Sequence, residues 1–72
     1  MTTPQTSSTS FRVPDADLIN GASVQHIGAR GETMTITEAR EEIASLGGDR
    51  ENVYEHEGYL WNGEKIIGEP ID

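Results

Sequence analysis

Cysteine is absent from this chain of 72 residues. That excludes a disulfide scaffold and any thiolate metal site. Small secreted domains commonly need such staples, so the lack of them points to a cytoplasmic protein. Long apolar runs are missing too: the longest is Tyr59-Leu60-Trp61. Nothing of that length spans a bilayer. The first residues, rich in Ser and Thr, lack the apolar stretch of a signal peptide. Cations are scarce, with five Lys and Arg against thirteen Asp and Glu. Aromatics are scarcer still: Phe11, Tyr54, Tyr59 and Trp61.

These shortages bound the architecture. The length allows one domain, near the lower limit for independent folding, because surface outgrows core in small proteins. Residues 1–10 hold no apolar side chain after Met1. They read as a disordered tail with nothing to bury. The domain is expected over 11–72. A core that small leaves roughly 3–5 kcal/mol of net stability. That margin poorly sustains a strained catalytic centre.

The charge is uneven. The net formal charge is −8, and residues 37–72 carry −7 of it, with Arg40, Arg50 and Lys65 against ten acids. Phosphate backbones and anionic membranes repel such a surface, while basic proteins are attracted to it. The expected partner is therefore a basic protein surface, with no direct nucleic acid and no membrane.

Local patterns predict an α+β domain, a small antiparallel sheet with one helix packed on it, in the order β-β-α-β-β. Phe11-Arg12-Val13 is a possible extra strand, stopped by Pro14. Asn20-Gly21 is a turn signal, because both residues tolerate positive φ. Ala22–Ile27 and Glu32–Ile36 alternate and are expected to pair as a hairpin across Gly28–Gly31. The clearest helix follows, with Thr37 as N-cap or, alternatively, a capping box of Thr35 and Glu38. Ile36, Ala39, Ile43 and Leu46 form its apolar stripe, and Gly47-Gly48 ends it. Asn52 to Gly68 reads as strands that end at Pro70. A two-residue turn at Asn62-Gly63 would pair Trp61 with Glu64, Leu60 with Lys65 and Tyr59 with Ile66. Strict alternation from there puts Glu55 and Glu57 on the aromatic face. A bulge or turn at Gly58 puts Tyr54 and His56 there instead, which buries better and is the expected arrangement.

Chemistry-bearing patterns are thin. Catalysis by a nucleophile needs an adjacent base, and His26 and His56 are the only histidines. No Gly-x-Ser-x-Gly elbow occurs. Glu55-His56-Glu57 suggests a metal, but neighbours in a strand point to opposite faces. Gly28-Ala29-Arg30-Gly31 leads into an acidic strand rather than a phosphate-binding helix. The expectation is no enzyme, no metal and no cofactor.

Thr35–Ile43, Leu46-Gly47, Asn52-Val53-Tyr54, Gly58-Tyr59-Leu60 and Lys65–Gly68 loosely resemble the winged helix-turn-helix of small excisionase and MerR-type regulators. The resemblance covers about half the chain and implies a recognition helix over Asp49–Glu57. That stretch has a net charge of −3, with Arg50 against Asp49, Glu51, Glu55 and Glu57. A recognition helix needs Lys and Arg for phosphates and base edges.

The residues that point furthest are aromatic and acidic. Tyr54, Tyr59 and Trp61 cluster in sequence with Glu51, Glu55, Glu57, Glu64 and Glu69. Aromatics are enriched at interface hot spots, and surrounding acids steer a basic partner. The expected function is a non-enzymatic acidic protein-binding module. Its profile is similar in type to phage or mobile-element inhibitors that cover a basic nucleic-acid-binding surface of a host protein, such as anti-CRISPR proteins, DNA mimics and antitoxins. The alternatives are an excisionase-like DNA-binding regulator and a small phage structural or assembly component.

Overall fold

A computed structural model describes residues 9–71. Residues 1–8, most of the expected tail, and Asp72 lie outside the described residues. The strands are β1 (Ser10–Arg12), β2 (Leu18–Ile19), β3 (Ala22–Ser23), β4 (Thr33–Thr35), β5 (Val53–His56), β6 (Tyr59–Asn62) and β7 (Lys65–Pro70). One helix, α1 (Ile36–Ser45), follows β4, and a 3₁₀ turn at Arg50–Asn52 leads into β5. Five strands form an antiparallel sheet in the order β4-β1-β7-β6-β5, and β2 pairs with β3 in a separate ribbon. The fold class is the α+β arrangement that the sequence predicts.

The optional strand at the N-terminus is an inner strand of the sheet. β1 pairs with β4 on one side, Phe11 facing Met34, and with β7 on the other, Arg12 facing Glu69. Alternation sends Phe11 and Val13 inward, at 2% and 0% exposed. They join Ile27, Met34, Ala39, Ile43, Val53, Leu60 and Ile67 in one core between sheet and helix.

The hairpin expected across Gly28–Gly31 does not form. β4 pairs with β1, and that pairing is prolonged by Val13 donating to the Glu32 carbonyl and Gly31 donating to the Val13 carbonyl. Ala22-Ser23 instead folds back on Leu18-Ile19 across Asn20-Gly21, whose φ values of 50° and 83° are those of a type I′ turn. Val24 and Gln25 then run alongside β7 at Ile66, where Gln25 donates to the Ile66 carbonyl.

Helix α1 starts two residues earlier than a Thr37 cap requires. Thr35 is the N-cap: its hydroxyl accepts from the Glu38 amide, and the Glu38 carboxylate accepts from the Thr35 amide. The capping box satisfies two otherwise orphaned donors and so outcompetes Thr37. Ala39 and Ile43 are buried and Ile36 half-buried, but Leu46 is 59% exposed and leaves the stripe. Gly47, at φ 88°, ends the helix in a Schellman motif, with Gly47 and Gly48 donating to the carbonyls of Ala44 and Ile43.

The register of the last hairpin is one residue from the expected one. Asn62 pairs with Lys65 and Trp61 with Ile66, so the turn is Gly63-Glu64. Positive φ at Gly63 but not at Glu64 matches a type II′ turn, with glycine at the first central position. A bulge between Leu60 and Trp61 makes Leu60 face Gly68 and leaves Ile67 as the extra residue of β7. Ile66 and Ile67, as strand neighbours, are buried on different faces. Ile67 belongs to the core, whereas Ile66 lies outside it, opposite Trp61.

An open aromatic face as candidate functional site

The β5–β6 hairpin turns at Glu57-Gly58, both at positive φ (56° and 87°), another type I′ turn. Tyr54 then faces Trp61 and His56 faces Tyr59. This is the register expected from a turn at Gly58. With Val53 and Leu60 in the core, alternation places Tyr54, His56, Tyr59 and Trp61 together on the sheet face opposite α1.

The rings are ordered by backbone contacts. Tyr54 and Trp61 stack with centroids 6.3 Å apart and planes 8° from parallel. The Tyr54 hydroxyl donates to the Gly63 carbonyl at 2.7 Å, and the Trp61 indole N–H donates to the His56 carbonyl at 3.2 Å. Each ring is thus tied at its polar edge to backbone, Trp61 within the β5–β6 hairpin and Tyr54 to the β6–β7 turn. His56 meets Trp61 edge-on at 6.5 Å. Tyr54 is 42% exposed, and Tyr59 and Trp61 are half-buried.

The eight residues singled out by sequence divide into groups. Tyr54, Tyr59 and Trp61 share the open face. Glu57 and Glu64 lie in the turns at the two ends of β6. Glu55 faces Leu60, so it belongs to the helix-bearing face, and Glu51 sits in the 3₁₀ turn before β5. Glu69 is engaged by Arg12, whose Nε donates to its carboxylate at 2.9 Å. Among the described residues this is the one carboxylate paired with an arginine or lysine. The sequence reading missed Arg12 as the partner of Glu69, because 57 residues separate them. His56, expected on this face, joins the row opposite Tyr59.

A second acidic surface lies across the molecule. Glu32, Glu38, Glu41 and Glu42, with Met34 and Ile27, line a groove of about 350 Å³ beside α1. Two of these carboxylates are already occupied locally: Glu38 in the capping box, and Glu32 accepting from the Ala29 amide. Arg40 spans from the helix to the Val53 carbonyl.

Neither surface gathers metal ligands: among the described residues no group of three His, Asp or Glu is placed to hold an ion. His56 approaches only Glu57, at 3.7 Å. The segment that a recognition helix would occupy is the 3₁₀ turn followed by strand β5. Among the described residues, no helix is long and apolar enough to cross a membrane. Comparison with protein-family models, curated proteins and solved structures finds no match.

Proposed function

We propose that this chain is a non-enzymatic binding module that docks through the open face of its sheet onto a basic surface of another protein. The surface it covers is one that otherwise holds nucleic acid. The observation that carries this reading is the face itself: Tyr54, Tyr59 and Trp61 share the side of the sheet that α1 leaves uncovered, with Glu57 and Glu64 at its ends. Rigid aromatics give contact area at low entropic cost, and acids around them steer a cationic partner. The role of an inhibitor encoded by a phage or mobile element fits this reading.

The turn chemistry supports it as well. Glu57 and Asn20 are the only non-glycine residues with positive φ among the described residues. Asparagine tolerates that region and glutamate does so poorly. A carboxylate held at the hairpin tip against local preference is what a charge-presenting surface calls for.

The test is capture of host proteins by the wild-type chain, compared with Tyr54→Ala and Glu57→Lys variants. A protein retained by the wild type, released by salt, lost with either variant and prevented by the chain from binding nucleic acid supports the reading. Retention that ignores salt and both variants overturns it.

A further inference from the structure

We infer that the Tyr54–Trp61 stack seats an arginine side chain of the partner, with its guanidinium over the rings and its charge met by the carboxylates at the hairpin ends. This rests on the docking reading above and names the group that occupies the face.

The stack has already spent its hydrogen-bond donors. The one donor of Trp61 goes to the His56 carbonyl, and the Tyr54 hydroxyl goes to that of Gly63. With the donors engaged, what the pair has to attract a cation is its ring faces, which carry the negative part of the quadrupole. A planar, weakly hydrated guanidinium lies flat on such a surface, while a compact, strongly hydrated ammonium gains less there.

The chain's own cations do not occupy this place. Arg12, also directed to the open face, is bound to Glu69. Arg40 is bound to the Val53 carbonyl on the helix side. Lys65 neighbours Ile66 in β7 and so points to the opposite face from Trp61. Arg50 lies in the 3₁₀ turn and Arg30 in the turn before β4. The face therefore combines partly exposed rings with acidic neighbours, and its one arginine among the described residues, Arg12, is held by Glu69 rather than by the rings. Nucleobases also stack on aromatic rings. Their phosphates, however, would meet a half-chain of net charge −7. Charge complementarity selects the arginine.

Trp61 is the only tryptophan, so its fluorescence reads the site directly. The probes are hexa-arginine, hexa-lysine, hexa-citrulline and a single-stranded oligothymidine, each titrated into the full chain at low salt. The expected result is a saturable change in Trp61 emission with hexa-arginine, with an affinity about twofold to fivefold above that for hexa-lysine, the size of a cation–π contact at an exposed site. Hexa-citrulline, isosteric but neutral, gives no saturable change. Tyr54→Ala brings hexa-arginine down to the hexa-lysine level, and Tyr54→Phe retains the preference.

Equal affinity for hexa-arginine and hexa-lysine overturns the arginine seat and leaves the docking reading standing. Oligothymidine binding tighter than hexa-arginine overturns both. So does the absence of any response to either cationic peptide. The comparison of peptides on the wild-type chain stands whether or not a variant folds.

Discussion

Gly68 shows how little slack the core has. An added Cβ there would lie 3.0 Å from the Phe11 Cβ and 3.1 Å from the Leu60 Cβ. Both neighbours are Cβ atoms, fixed to their backbones, so neither can rotate away. Phe11 and Leu60 are themselves fully packed, at 2% and 0% exposed. Glycine is required here by the close approach of β1 and β6 to β7, and not by its φ. Gly68→Ala should destabilise the domain by about 1–3 kcal/mol, the usual cost of overpacking. Urea unfolding followed by Trp61 fluorescence measures it, and an unchanged midpoint would refute the packing described. In the sequence, Gly68 stood out only as the end of an apolar run. Its role depends on Phe11, 57 positions away in the chain, and on a bulge that no local pattern announces.

At the scale of elements, what was legible was what is decided locally. Helix α1 follows from its period, its capping box and its terminal glycines, all within a few residues of one another. The Asn20-Gly21 turn and the face shared by Tyr54, His56, Tyr59 and Trp61 were legible for the same reason. Strand partners were not. Ala22–Ile27 and Glu32–Ile36 are adjacent and both alternate, yet β4 gains more by joining β1, which brings Phe11 and Val13 into the core. The Asn62-Gly63 pair signalled a turn correctly but misplaced it by a residue. Asn62 remains in the strand, its side-chain amide donating to the Gln25 side chain at 2.9 Å. The site inherits this division: the rings could be grouped from sequence, whereas the dispersal of Glu51 and Glu55 and the pairing of Glu69 depend on long-range packing.

The β5–β6 hairpin yields its own prediction. Its turn places Glu57 at φ 56°, where asparagine is the better residue. Glu57→Asn should stabilise the domain by roughly 0.5–1 kcal/mol, within the range of backbone-compatible turn substitutions. It should also weaken binding to a cationic partner. Chemical denaturation and a binding titration on the same variant check the two halves. A variant that is neither more stable nor weaker in binding would show that the carboxylate at the tip has no functional role.

The whole molecule is a sheet with two unlike sides. One side is closed by α1, which contributes Ala39 and Ile43 to a core of nine residues. The other carries the stacked rings and the Arg12–Glu69 pair. Negative charge is present on both, at the hairpin ends and along the groove by α1, so net charge alone does not select a docking face. The aromatic rings do, because they add desolvated contact area that the helix groove lacks. The most direct test is a map of backbone amide shifts in the isotopically labelled chain as hexa-arginine is added. The account predicts that the shifts concentrate on Tyr54–Glu64 and Ile66 and disappear in high salt. Shifts concentrated on Glu32 and on Glu38–Ser45 instead would contradict it, and would move the binding surface to the acidic groove beside the helix.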